Sequence, residues 1–354
     1  MNRVSVVGFA QSDCVRNTHG TTNGVEMLVP ILAEAFERTG LSKEDIGFWC
    51  SGSSDYLAGR AFSFISAVDA IGAFPPINES HVEMDAAWAL YEAWVKILTG
   101  EVETALVYGF GKSSAGTLRR VLSLQTDPYT VAPLWPDSVS IAAMQARLGL
   151  ESGRWSEKDM AEVAARSLAD ARGNPKAQRS GDFSVAELLD GPLTADPLRA
   201  HDIAPITDGA AAIVLAAGDV ARSACERPAW IRGLEHRIEA HALGVRDLTR
   251  SESTRLAAEA ASVGDGPVDV AELHAQFSHE ELILADALGL GGATNVNPSG
   301  GALAANAVMS TGLVRIGEVA RRIMAGDADR GVAHATSGPC LQQNMVCVLE
   351  GNRA

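Results

Sequence analysis

The segment HVEMDAAWAL (81–90) carries three side chains that could take part in acid–base chemistry, His81, Glu83 and Asp85. They precede an alanine- and tryptophan-rich run that has the character of a helix. A helix N-terminus favours negative charge and offers free backbone N–H groups, so it suits a reactive nucleophile. No serine, cysteine or threonine stands in the segment. The pattern predicts an active-site setting without a nucleophile, and plain helix capping by Asp85 and Glu83 is the alternative.

The segment HRIEAH (236–241) places His236 and His241 at a spacing that two metal ligands could have. A protein metal site of this kind needs at least a third ligand, and the sequence offers none nearby. The segments GFGKSS (109–114) and GLGGAT (289–294) each lack a glycine that a nucleotide-binding loop requires. We therefore predict no metal and no nucleotide loop of these types in this chain.

The composition predicts a globular protein with enough apolar material for two core-sized units, since the 354 residues are 47% hydrophobic and 21% charged. A formal net charge of −15 argues against nucleic acid as the main partner. Five cysteines without a CxxC pair favour a reducing cytoplasm. The first residues lack the pattern of a signal peptide, and no apolar run approaches the ~18 residues of a membrane span. We expect a cytoplasmic protein with no membrane span.

Three pairs of segments resemble each other at a constant offset, which predicts an internal duplication. Each pair has an apolar strand-like run, and in two of them an acidic turn comes first. The pairs are 3–10 with 228–236, 42–53 with 265–276, and 99–109 with 325–335. Because all three occur in the same order, we expect the two halves to share one fold.

Each half is predicted to alternate strands and amphipathic helices, with helices over 25–40 and 253–264. Nearly continuous apolar strands such as AAIVLAA are typical of a sheet with helices on both faces. An insertion of about 115–205 interrupts the first half. The predicted division is 1–221, including this inserted loop domain, and 222–354.

With these segments the chain resembles the thiolase superfamily, in the branch similar to sterol-carrier-protein-x thiolases and bacterial lipid-transfer proteins. The resemblance covers essentially the whole chain. It implies an α/β protein with a duplicated thiolase fold in five α-β-α-β-α layers, a homodimer or heteromer, and an acyl-CoA thioester as the ligand. The segments that carry it are CSGSSDYLAGRAF (50–62), ITDGAAAIVLA (206–216), ELHAQFSHEEL (272–282), NVNPSGGALAAN (295–306) and TSGPCLQQN (336–344).

The resemblance also implies which positions carry the chemistry. The family's nucleophile segment falls on residues 82–89, so Ala86 stands where a thiolase has its acyl-accepting cysteine. Asn306 stands where the family has a catalytic histidine, and His274 and Cys340 match two further catalytic positions. Acyl transfer to cysteine is therefore not expected, because a missing covalent nucleophile costs orders of magnitude in rate.

A retro-aldol cleavage of a β-hydroxyacyl-CoA needs no covalent intermediate, and some members of the resembling branch are steroid-degrading aldolases. In this interpretation His274 and Asn306 donate hydrogen bonds to the thioester oxygen as an enolate forms. The proton carrier is left open among Cys340, Asp85, Tyr56 and Tyr108. The residues predicted to contact substrate are Tyr56, Asp85, Ala86, Ser299, Gly300 and Gly301.

The aldolases in this branch work with a partner chain that has an OB fold and a zinc ribbon, so the resemblance implies such a partner here. Two alternatives stay open. One is an acetyl-CoA acetyltransferase, or thiolase, with a relocated nucleophile. The other is a non-catalytic subunit that binds acyl-CoA or lipid within a heteromeric thiolase-like complex.

Overall fold

The computed structural model describes residues 3–18, 24–58 and 62–351, apart from the side chains of residues 56, 58 and 66. The strands are β1 (Val4–Gln11), β2 (Phe48–Gly52), β3 (Glu79–Val82), β4 (Thr104–Lys112), β5 (Leu193–Ala195), β6 (Leu198–Arg199), β7 (Asp208–Ala217), β8 (Ala229–Ile238), β9 (Val270–Glu272), β10 (Asn295–Val296), β11 (Arg330–Ser337) and β12 (Gln343–Glu350). The helices are α1 (Gly24–Thr39), α2 (Asp55–Ala58), α3 (Ser63–Ile71), α4 (Ala86–Leu98), α5 (Leu118–Ser123), α6 (Ser138–Glu151), α7 (Glu157–Asp170), α8 (Val185–Leu189), α9 (Gly218–Ala224), α10 (Glu252–Ala260), α11 (Ser278–Ala287), α12 (Gly301–Ala304) and α13 (Thr311–Ala325).

The main sheet has two halves with the same strand pattern. Its order is β3-β2-β4-β7-β1 in the first half and β10-β9-β11-β12-β8 in the second. In each half the first three strands are parallel and the last two are antiparallel to their neighbours. The halves meet where β1 pairs with β8, through Ser5 with Trp230 and Val6 with Ala229.

The three predicted repeat pairs fall on equivalent strands of these halves. They correspond to β1 and β8, to β2 and β9, and to β4 and β11. The predicted helices over 25–40 and 253–264 correspond to α1 and α10. The apolar run AAIVLAA lies in β7, which is buried along its whole length. The duplication could therefore be found from weak but collinear matches.

The three largest apolar clusters of the described residues lie between the five layers. One core lies between α1, α3 and the first half of the sheet, and another lies between α10, α11 and the second half. The third core surrounds α4 and α13, which pack between the two halves of the sheet. Strand β4 shows the alternation, because Val107 belongs to the central core and Leu106 to the outer one.

The segment between β4 and β7 belongs to the first half by sequence but packs across the second. It contains α5 to α8 and the small β5–β6 sheet. Helix α7 packs against α11 and α12. On α6, the Gln145 side chain donates to the Leu248 carbonyl at 2.8 Å and contacts the His279 ring nitrogen at 3.2 Å. This segment thus closes a space between the two halves.

A buried ion pair anchors the turn after β10 to the central helix α13. Arg315 Nη1 donates to Glu272 Oε2 at 2.7 Å and to Ser299 Oγ at 2.8 Å. Both charged side chains are almost fully buried. Among the helices of the described ranges, none combines the length and the apolar character that crossing a bilayer requires.

Candidate active site

The N-termini of the two central helices converge on one carboxylate, that of Asp85. Its Oδ1 accepts the Ala87 N–H at 2.9 Å and so caps α4. The same carboxylate accepts the N–H groups of Gly312 at 3.0 Å and Leu313 at 3.2 Å, in the first turn of α13. Asp85 is buried, which raises the pKa of its carboxyl, while the three N–H groups act in the opposite direction. A negative charge between two helix N-termini lies where both helix dipoles favour it.

Ala86, which stands where the resemblance implies a nucleophilic cysteine in other family members, is fully buried. Its N–H donates to the Met309 carbonyl at 2.9 Å. Its methyl group lies so close to Gly109 that a β-carbon built there would approach it to 2.7 Å. Ala86 is not part of the cavity wall formed by the described residues. At this helix start it is Asp85, the preceding residue, that reaches the cavity.

A cavity of about 360 Å³ lies between the two halves of the chain and the inserted segment. Its size is within the ~300–1,000 Å³ range of small-molecule sites. The inserted segment contributes an apolar side with Leu118, Leu122 and Ile141. The polar groups on the opposite walls include those of Asp85, His274, Gln276, Glu280 and Cys340.

His274 follows the end of β9 by two residues and lines the cavity. Its Nδ1 accepts the Thr336 N–H at 3.4 Å, from the neighbouring strand β11. Burial lowers the pKa of His274 to about 3, so the ring is neutral at physiological pH. The tautomer that accepts at Nδ1 carries its proton on Nε2, so this N–H can donate a hydrogen bond. In the structure Nε2 lies 3.5 Å from the side-chain amide nitrogen of Gln276.

Asn306 lies near His274 but is not part of the cavity wall formed by the described residues. It lies in the loop between α12 and α13 and not at the start of a helix. Its Oδ1 accepts the Thr311 hydroxyl at 3.0 Å, and its side chain lies close enough to His274 to oppose the lowering of the pKa of that ring. Its N–H donates to Thr207 Oγ1 at 3.1 Å. These contacts hold Asn306 in place next to His274, while a catalytic role for Asn306 itself stays a prediction.

Glu280 is a cavity residue that sequence reasoning missed. It lies in the first turn of α11, and its Oε2 accepts the N–H groups of Gln276 at 2.8 Å and Phe277 at 3.3 Å. Burial raises the pKa of its carboxyl to about 7. The neighbouring Glu281 instead bonds Arg166 and Asn297. The sequence feature that could have indicated it is the pair of glutamates in FSHEEL (277–282). Two acidic residues in a first helical turn are, however, also what ordinary helix capping produces.

Cys340 lines the same cavity in a strained backbone turn. Its φ is +55° and that of Leu341 is +56°, values that non-glycine residues adopt at an energetic cost. The turn is held by Arg246, which donates to the carbonyls of Pro339 and Cys340, both at 3.1 Å. Burial and the nearby Glu280 carboxyl raise the pKa of the Cys340 thiol to about 12. The sulfur is therefore a thiol and not a thiolate at neutral pH.

Comparisons of sequence give distant relatives. No protein-family model matches the chain. An acetyl-CoA acetyltransferase of Methanothermobacter thermautotrophicus is 29% identical over 222 residues, which cover 56% of this chain and 58% of that protein. Sterol carrier protein 2 of Gallus gallus is 24% identical over 308 residues, which cover 73% of this chain and 56% of that protein. The matched part thus spans little more than half the length of these relatives.

Comparisons of structure cover nearly the whole chain. The human mitochondrial 3-ketoacyl-CoA thiolase superposes with a TM-score of 0.78 at 15% identity, over 99% of both chains. The chain has the thiolase fold. A structure titled Ltp2-ChsH2(DUF35) aldolase superposes with a TM-score of 0.80 at 18% identity, over 99% of this chain and 98% of that one. The predicted fold class is confirmed.

The NPSGG turn of this thiolase-fold protein serves as an anchor. Ser299 Oγ donates to Glu272 Oε2 at 2.7 Å. Gly300 and Gly301 have φ values of +91° and +61°, and a β-carbon at Gly300 would lie 2.6 Å from that of Ala171. These three turn residues are not in the cavity wall formed by the described residues. Their contact with substrate stays a prediction, and the contacts present are structural.

Of the two candidate proton-carrying tyrosines, Tyr56 and Tyr108, the structure describes the side chain of Tyr108 alone. Tyr56 lies in α2, but its side chain is outside the described part of the chain. Tyr108 is fully buried in the outer core against α1 and the first half of the sheet. Burial raises the pKa of Tyr108 further above its usual value. Its position in the core does not suit proton exchange with a ligand in the cavity.

Alkylation tests the state of Cys340 directly. With a pKa of about 12 and a buried sulfur, Cys340 should react with iodoacetamide at about pH 8 at least ~1,000-fold more slowly than in the urea-unfolded chain. Peptide mass spectrometry measures the labelling, and the half-buried Cys225 serves as the internal comparison. Rapid labelling of Cys340, or an adduct with an acyl-CoA analogue, would instead identify it as a relocated nucleophile.

Proposed function

We propose that this protein cleaves the Cα–Cβ bond of a β-hydroxyacyl-CoA thioester by a retro-aldol reaction, without an acyl-enzyme. One observation carries the proposal. The helix N-termini that would stabilise a thiolate hold the Asp85 carboxylate instead, beside an alanine at position 86. Nucleophilic thioester chemistry needs a thiolate at this position. The position is instead taken by a carboxylate whose oxygens are held by backbone N–H groups and are not free to attack.

The cavity supports a reaction through an enolate. As the bond between Cα and Cβ breaks, the β-hydroxyl oxygen becomes a carbonyl and the electron pair moves into the thioester enolate. His274 is suited to donate a hydrogen bond from Nε2 to the enolate oxygen, because its Nδ1 is fixed by the Thr336 N–H. Its low pKa keeps it a neutral donor and not a proton source.

We propose lipid or steroid side-chain thioesters as substrates and a partner chain as part of the active assembly. The apolar side of the cavity with Leu118, Leu122 and Ile141 suits an acyl chain. The aldolase of the same fold is titled with two components, Ltp2 and ChsH2(DUF35). A partner with an OB fold and a zinc ribbon is accordingly the proposed companion, within a homodimeric or heteromeric assembly.

Acetyl transfer is the second candidate, because a relative at 29% identity is named an acetyl-CoA acetyltransferase. That activity requires a nucleophile that accepts the acyl group. Cys340 is the cysteine in the described cavity wall, and its pKa of about 12 opposes this role. The geometry therefore favours cleavage over transfer.

The proposal is tested with 3-hydroxyacyl-CoA thioesters of increasing chain length. The full chain is assayed alone and as the complex that a tagged chain retains when it is purified from its native host. We expect a carbonyl compound and a shortened acyl-CoA in equal amounts, detected by mass spectrometry. If neither preparation cleaves any substrate while both bind acyl-CoA, the protein is a non-catalytic acyl-CoA-binding subunit.

A further inference from the structure

We propose that Glu280 is the proton acceptor of this reaction and returns the same proton to the enolate. The inference rests on the proposed cleavage of a β-hydroxyacyl-CoA. It starts from a carboxyl group that is 4% exposed and lines the cavity that also holds His274 and Cys340.

The two oxygens of Glu280 have different surroundings. Oε2 is held by the N–H groups of Gln276 and Phe277, at 2.8 and 3.3 Å. Oε1 accepts no hydrogen bond from any residue in the described ranges. One oxygen therefore fixes the carboxyl group against its own helix start, and the other is available to a ligand in the cavity.

The other acidic groups of the cavity are less suited to this role. Both oxygens of Asp85 accept backbone N–H groups, so its lone pairs are engaged in holding α4 and α13. Glu83 also lines the cavity, but its side chain is half exposed. One of its oxygens accepts the Asp55 N–H at 2.7 Å and the other lies 3.4 Å from the His81 ring. The Cys340 thiol has a pKa of about 12, which leaves it protonated throughout the neutral range. Glu280 is the carboxyl group that combines a place on the wall with an oxygen that the described protein groups leave open.

The charged groups around Glu280 do not offset the effect of burial on its pKa. Cys340 lines the same cavity, close enough for the Glu280 charge to act on its thiol, and is neutral. Arg246 is bound to the carbonyls of Pro339 and Cys340. On the elements packed against α11, Arg166 bonds Glu281 and Asp202 accepts the Ser278 hydroxyl. Among the described residues no cation bonds its carboxyl group, and burial raises the pKa of Glu280 to about 7. At that value the group can both take and give a proton near neutral pH.

The step balances without a further reactant. The Glu280 carboxylate takes the proton of the β-hydroxyl group, the Cα–Cβ bond breaks, and its electron pair moves into the thioester enolate. The carbonyl product leaves with the β-carbon. The carboxylic acid then gives the proton to Cα of the enolate, which yields the shortened acyl-CoA and restores the carboxylate.

The reverse of the last step gives an assay that does not depend on cleavage. A base that protonates the enolate must also remove an α-proton from a short acyl-CoA, so acetyl-CoA should exchange its methyl protons in D₂O on the intact protein. Mass spectrometry of acetyl-CoA follows this exchange, and the cleavage rate is measured in parallel. Glu280→Gln should slow both by about 100-fold or more. Glu280→Asp should restore part of the exchange.

The control lies on the same helix. Asp286 is exposed near the end of α11 and pairs only loosely with Arg154, at 3.5 Å. Asp286→Asn should leave exchange and cleavage unchanged. In the unaltered protein, exchange should rise with pH through a midpoint near the pKa of about 7, and this midpoint should vanish in Glu280→Gln.

The outcomes separate this inference from the proposed function. If the unaltered protein exchanges acetyl-CoA protons but cleaves no 3-hydroxyacyl-CoA, and Glu280→Gln abolishes the exchange, Glu280 is the base and retro-aldol cleavage is overturned. Cleavage and exchange that survive in Glu280→Gln overturn the role of Glu280 and keep the function. An unaltered protein that neither exchanges nor cleaves overturns both.

Discussion

Replacing Asp85 with alanine should lower the free energy of unfolding by about 3 kcal/mol, because three buried backbone N–H groups lose their acceptor. These N–H groups belong to Ala87 in α4 and to Gly312 and Leu313 in α13. The change also removes the negative charge that both helix N-termini favour. Urea denaturation at neutral pH, followed by circular dichroism, measures the difference.

Two further variants define what that result means. Asp85→Asn keeps one oxygen acceptor and should cost less than Asp85→Ala. Ser156→Ala removes the exposed N-cap of α7, which accepts the Asp159 N–H at 3.2 Å, and should cost about 1 kcal/mol. If Asp85→Ala costs no more than Ser156→Ala, the carboxylate does not hold the two central helices together.

Replacing His274 with alanine should lower kcat/KM for cleavage by about 100- to 1,000-fold, since one preorganised donor to the forming enolate is lost. We assign the donor to Nε2–H, the tautomer that fits the Thr336 N–H at Nδ1. Burial lowers the pKa of His274 to about 3. The ring is thus neutral from about pH 5 to pH 8, and the pH profile of the unaltered protein should show no step from this residue there.

The control for His274 is a histidine outside the cavity wall. His201 lies in the inserted segment beside Asp202, at 3.5 Å, and burial lowers its pKa as well. His201→Gln should leave kcat/KM within about twofold of the unaltered protein, because His201 is not part of the cavity wall formed by the described residues. Equal losses in His201→Gln and His274→Ala would mean that the effect of His274 is structural.

The fold could be predicted from the sequence because its signals are local and repeated. The apolar run of β7 predicts a strand that is buried on both faces. The matches of β1 with β8 and of β4 with β11, which occur in the same order in both halves, predict the duplication. Such patterns depend on side-chain periodicity within a few residues. The resemblance to thiolases added the layer order.

The site could be predicted only in part, because its decisive contacts join distant residues. The capping role of Asp85 toward α4 follows from its position before a helix. Its second role follows from Gly312 and Leu313, which are 227 and 228 residues further along the chain. No local pattern indicates that one carboxylate serves two helices.

Glu280 shows the same limit. It and Glu281 are adjacent in the first turn of α11, and the rules of capping treat them alike. They differ because Arg166 and Asn297 bind Glu281, whereas Glu280 faces the cavity. Burial then sets its pKa, and burial is a property of the folded chain.

The central claim is that the protein cleaves a carbon–carbon bond without transferring an acyl group to coenzyme A. The most direct test is whether the rate of turnover depends on free coenzyme A. The assembled protein is incubated with a 3-hydroxyacyl-CoA and, separately, with the matching 3-oxoacyl-CoA, each with and without excess free coenzyme A. We predict cleavage of the 3-hydroxyacyl-CoA at a rate that free coenzyme A does not raise, and no turnover of the 3-oxoacyl-CoA. Turnover of the 3-oxoacyl-CoA that requires free coenzyme A would contradict the account and identify the protein as a thiolase.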